Sequence, residues 1–149
     1  MMRGLLKGAL CAAVLFVTSA SSAPVPLEQL AKPPANAQQY SIVSKAGTHG
    51  HSASWTLPDG TRMSRDSLNL RGQVFEVEEA ARLGADGMAA AITVRGFTPS
   101  GDAAETFTIV NGRALWKSQV DAGSSAYTTP AMYIPAGGGF SPSLLIEAL

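Results

Sequence analysis

The chain has 149 residues with 11 lysines and arginines against 11 aspartates and glutamates, a formal net charge of zero at pH 7. No basic cluster stands out, which argues against nucleic acid or an anionic membrane surface as a partner. Hydrophobic residues make up 46% of the sequence and there is one cysteine, so a single modest core is affordable, a second domain is not, and disulfide frameworks and cysteine-rich metal sites are excluded.

Taken in chain order, the first feature is an export segment over residues 1–23. Arg3 and Lys7 precede the apolar run "GALCAAVLFV" (Gly8 to Val17), and the small residues "TSASSA" (Thr18 to Ala23) follow. A basic start, a short apolar stretch and a small-residue zone make a secretory signal peptide. The run is about half of the ~20 apolar residues that a membrane span needs, so the expectation is cleavage after Ala20 or Ala23 and a soluble product in the periplasm or outside the cell, with no stable membrane insertion. Cys11 leaves with this segment, as do Arg3 and Lys7. The remainder carries nine lysines and arginines against eleven acidic residues.

Residues 24–39, "PVPLEQLAKPPANAQQ", are proline-rich and without period, an extended leader that can hold at most a short helical turn at Leu27 to Leu30. From residue 40 to 129 turn signals recur: "PDG" at Pro58, "GADG" at Gly84, "PSGD" at Pro99 and "NG" at Asn111. Between them lie stretches of strand length: Tyr40 to Lys45, His51 to Leu57, Arg62 to Leu70, Gln73 to Leu83, Met88 to Thr98, Ala104 to Val110 and Arg113 to Asp121. Short strands joined by tight turns predict a mainly β fold, an antiparallel meander sheet. Residues 130–149 lose the two-residue period. Ser141 as N-cap, Pro142 at the first helical position and an apolar run to Leu149 predict a short C-terminal helix.

One hairpin is specified to the residue. Asn-Gly turns place both central residues at positive φ, so Val110 should face Arg113 and Phe107 should face Trp116. That register gathers Phe107, Ile109, Ala114 and Trp116 on one face and Thr106, Thr108, Arg113 and Lys117 on the other. A slip of one residue would bury Lys117 and expose Trp116. The stretch "VFEVEEA" alternates in the same way, with Phe75 and Val77 opposed to Glu76 and Glu78.

Candidate sites are few. His49 and His51, two apart in "GTHGHSASW", share a strand face as zinc ligands would, and they are the only metal-ligand candidates. A third and fourth ligand could only be carboxylates, none marked by spacing, so solvated histidines are the simpler expectation. Glu76, Glu78 and Glu79 read as a strand's wet face rather than an acid/base pair. "AGGGF" (Ala136 to Phe140) lacks the spaced glycines of a phosphate loop, and "GSS" (Gly123 to Ser125) has no sign of a base partner. No catalytic residue and no cofactor is assigned.

Three stretches, "NLRGQVFEVEEAARLGADGMAAAITVRG", "FTIVNGRALWKSQVDAGSSAYTTPAMYIP" and "SPSLLIEAL", resemble the N-terminal, non-catalytic region of exported bacterial amidohydrolases, members of the metal-dependent amidohydrolase superfamily. The likeness covers residues 40–149, with "LGADG" and "NGRALWKS" as its most specific pieces. In those relatives a signal peptide, a β-rich region and a Leu/Ala-rich helix precede the metal-binding barrel. The resemblance implies that "THGH", in the second β segment, is not the superfamily's metal-ligating His-x-His, which closes the first barrel strand far downstream. It also implies that this chain ends where the enzyme begins.

Two readings follow. In the first, the chain is the non-catalytic β-domain of an amidohydrolase-like hydrolase, inactive alone, whose partner is a downstream catalytic domain met through Phe107, Trp116, Leu144 and Leu145. In the second it is a self-standing periplasmic binding or structural protein that holds an apolar ligand or a protein partner.

Overall fold

A computed structural model describes residues 23–128 and 131–136. The export segment, the "AGGGF" glycines from Gly137 on, and the C-terminal helix with Leu144 and Leu145 lie outside the described residues. A 3-10 turn at Leu27–Gln29 is followed by nine strands: β1 (Gln38–Ser44), β2 (Gly47–Thr56), β3 (Arg62–Leu70), β4 (Gln73–Leu83), β5 (Ala89–Thr98), β6 (Gly101–Asp102), β7 (Glu105–Val110), β8 (Arg113–Lys117) and β9 (Ala122–Ala126). Every pairing is antiparallel and runs between sequence neighbours, except that the two-residue β6 folds onto the end of β5 and leaves β5 to pair with β7. This is the expected meander. Among the described residues no helix is long and apolar enough to cross a membrane.

The turns carry the register. Asn111 and Gly112 both have positive φ, 50° and 71°, and the hairpin pairs Val110 with Arg113 and Phe107 with Trp116. β3 and β4 begin and end at the expected residues. β2 begins at Gly47, four residues before the expected His51, because β1 and β2 continue pairing past a register shift between Ile42 and Val43.

Two corrections concern the far edge. β8 ends at Lys117, where the sequence suggested a strand to Asp121, and β9 was not expected at all. The reason is local: Ser118 turns the chain, its N–H donating to the Asp121 carbonyl at 2.7 Å and its hydroxyl accepting from the Asp121 N–H at 3.1 Å. The segment "AGSSA" then forms a strand of low intrinsic propensity because β8 offers it a ladder.

Paired residues share a face, so the register sorts the side chains. One face holds the core: Val77, Ala81, Ile92, Val94, Ala103 and Phe107 are buried, and Ala89, Ile109, Ala114, Trp116 and Tyr133 pack against them. The opposite face carries Arg65, Glu76, Glu78 and Arg95 in adjacent pairs. There the leader lies down on the sheet. Leu30 is buried, the Ala31 N–H donates to Glu78 Oε2, and Arg95 bridges the two by donating to the Gln29 carbonyl (3.1 Å) and to Glu78 Oε1 (3.2 Å).

Candidate functional site

The glutamates of β4 do not form a wet face. Glu76 and Glu78 do oppose Phe75 and Val77, but Glu78 is 5% exposed beneath the leader and Glu79, on the core face, is 4% exposed. Glu76 is half-buried in a pair with Arg65 (2.6 Å) and accepts the Ser67 hydroxyl at 2.6 Å. Alternation correctly opposes Glu76 and Glu78 to Phe75 and Val77, but reading all three glutamates as one wet face fails twice: Glu79 sits on the core face with Val77, and the other face is covered by the leader.

On the core face the buried acids gather. Asp66 and Glu105 are each 3% exposed, and Glu79 lies between them. Glu79 and Glu105 both pair with Val94, one on either side, which sets their backbones two strand spacings or about 10 Å apart. Asp66 pairs with Val77 and is therefore diagonal to Glu79, a separation of about 7–8 Å. Burial, reinforced by the negative charges of Asp66 and Glu105, pushes the Glu79 carboxyl up to about 7. Burial also raises Asp66, and the nearby Ser52 hydroxyl with the charges of Arg65 and His51 offsets this only in part. Neither Asp66 oxygen has a partner in hydrogen-bond geometry among the described residues. The signal for Glu105 was present in "ETFTIV", since alternation puts it on the Phe107 face.

Toward the β9 edge the same face opens into a groove of about 310 Å³ lined by Phe107, Ala114, Trp116, Tyr127, Met132 and Tyr133, among others. Tyr133 stacks on Phe107 with ring centroids 4.4 Å apart and planes 11° from parallel. Trp116 lies flat over Gly123: a Cβ there would come within 2.5 Å of Trp116 Cζ2, so only glycine admits the ring. Each polar aromatic atom donates to a carboxylate. Trp116 Nε1 reaches Asp121 Oδ2 at 2.9 Å, the Tyr127 hydroxyl reaches Asp86 Oδ2 at 3.2 Å, and the Tyr133 hydroxyl bonds Glu105 Oε1. Burial first, then the Glu105 hydrogen bond and charge, raises the Tyr133 hydroxyl above its ordinary range, which keeps it a donor. Phe107 and Trp116 are thus brought together as expected. Tyr127, Tyr133 and Asp86 were missed because they stand outside the regular strands, where two-residue alternation carries no information.

His49 and His51 are not joined by further ligands. His49 Nε2 shares a 2.6 Å hydrogen bond with the Ser44 hydroxyl, and His51 is exposed between Ser41 and Ser67. No group of three His, Cys, Asp or Glu side chains able to hold a metal ion occurs among the described residues. Compared with family models, with curated proteins and with solved structures, the chain has no significant match.

Proposed function

We propose that this chain is a non-catalytic β-domain of an exported, amidohydrolase-like metal-dependent hydrolase, inactive alone, which meets its catalytic domain through the Phe107–Trp116 face. The sequence motifs "LGADG" and "NGRALWKS" support the family. The observation that carries the docking role is where large apolar side chains stay uncovered. Val120, by 89%, and Ile134, by 73%, are the most exposed large apolar side chains among the described residues; Val120 stands in the turn whose Asp121 accepts from Trp116, and exposed Met132 and Ile134 flank Tyr133. Apolar surface gathered in one region marks an interaction site more often than scattered residues do.

The role requires no chemistry of the chain itself. A hydrolase of this superfamily works through a metal-bound water, and here His49 is engaged with Ser44 while His51 faces solvent. The test is an assay of the purified chain on amide substrates with added zinc or manganese. No turnover is expected; metal-dependent turnover lost on changing His49 and His51 to Ala would overturn the reading.

A self-standing binding protein is the second reading, and the aromatic groove favours it. A monodisperse chain purified with an apolar ligand in that groove would decide for it.

A further inference from the structure

The groove between Trp116, Tyr127 and Tyr133 goes beyond the docking role, because its chemistry is specific. Four aromatic rings line it, and each of the three that carry a hydrogen-bond donor gives it to a carboxylate: Trp116 to Asp121, Tyr127 to Asp86, Tyr133 to Glu105. Such a bond polarises the ring toward its face, and ring faces already attract cations through their quadrupole. The lining includes no lysine or arginine among the described residues. The two nearest basic residues of β8, Arg113 and Lys117, project from the opposite face, as their pairing with Ala126 and Ala122 requires; Arg113 is held there by the Ser124 hydroxyl at 2.7 Å.

From this we infer that the groove is a binding site for an organic cation, a quaternary or alkylated ammonium head that sits on the Trp116 ring with Tyr127 and Tyr133 as walls. Trp116 is laid flat by Gly123, so one ring face is against the strand and the other is turned to the groove. Tyr133 is fixed twice, by its stack on Phe107 and by its bond to Glu105. Aromatic walls that are already held in place lose little freedom when a ligand enters. The acids bonded to the ring donors, Asp121, Asp86 and Glu105, supply negative charge behind the walls, and Met132 and Ala114 offer the apolar contact that N-methyl groups need. The lining offers hydroxyls but no carboxylate among the described residues, so a bare inorganic cation is not the ligand expected.

The test is calorimetric titration of the purified chain with choline and, separately, with 3,3-dimethyl-1-butanol, its uncharged carbon analogue of equal shape. Choline should bind saturably and about tenfold more tightly than the analogue, the ratio that a cation–π contribution of about 1–2 kcal/mol gives. Equal binding of the two, or no binding of choline up to the solubility of the chain's complex with buffer salts held constant, would overturn the inference. The exposed acids allow a second check: Asp121→Asn and Asp86→Asn each keep an oxygen for the aromatic donor and remove the charge, so choline should weaken several-fold while the melting curve stays in place. Unchanged affinity in the double variant would also count against it. A peptide with a trimethylated lysine distinguishes the two sources of such a head: tighter binding than choline assigns the site to a protein side chain, and weaker binding to a free molecule. Because these titrations use the chain alone, they can fail while the docking role stands.

Discussion

Glu79 and Glu105 flank Val94 from either side of β5, both on the core face and both buried. With Asp66 diagonal to Glu79, that face holds three acids beside Val77 and Val94. Glu79 is raised from 4.5 to about 7 in the folded chain, so between these values the folded state binds a proton that the unfolded state has released. The contribution of Glu79 to stability is therefore fully present below about pH 4.5 and is lost as pH rises through about 7. Asp66, also raised, acts in the same sense. Denaturant unfolding at pH 5 and pH 8 should show the loss, on the order of 2–3 kcal/mol for a shift of this size. Glu79→Gln should recover much of it at pH 8 and little at pH 5. A chain more stable at pH 8 than at pH 5 would place the acids in contact with water.

Gly123 is where Trp116 rests, and a side chain there cannot coexist with the ring. Gly123→Val should displace Trp116, shift its fluorescence to the red and destabilise the hairpin pair by roughly 1–3 kcal/mol, the usual cost of overpacking. Trp116→Lys should cost more, about 3–5 kcal/mol where the ring is covered, and should promote aggregation. An unchanged melting temperature in either variant would mean that the register of β8 against β9 is wrong.

Arg95 ties the leader to the sheet through Gln29 and Glu78. Arg95→Ala leaves the buried Glu78 without its cation and should loosen residues 24–31, seen as faster protease cleavage within the leader. The loss in stability should be about 1–3 kcal/mol, as for one side of a buried charged hydrogen bond. If cleavage is no faster, Arg95 does not hold the leader, and Leu30 with the Ala31–Glu78 hydrogen bond suffices.

Where two-residue alternation and turn chemistry operated together, the sequence was readable to the residue. Asn111-Gly112 and the Phe107/Trp116 pattern specify one register, and that is the register found. The strand of "AGSSA" was not readable, because alanine, glycine and serine carry neither β-propensity nor apolar contrast; it exists through its pairing with β8 and the Ser118 turn. Burial of Glu78 was not readable either, whereas Glu79 was, because alternation sets it on the Phe75 and Val77 face. Alternation tells which residues share a face, but whether a face is covered depends on segments distant in sequence, such as Leu30 over Glu78 and Tyr133 beside Glu105.

The role as the β-domain of an amidohydrolase-like enzyme is tested most directly by reading the coding DNA that follows the Leu149 codon. Within a few hundred bases, in this frame or a shifted one, the account predicts an apolar strand ending in His-x-His, the metal-binding opening of a catalytic barrel. An unrelated next reading frame, together with a purified 149-residue product that is monodisperse and carries a bound apolar ligand, would contradict it.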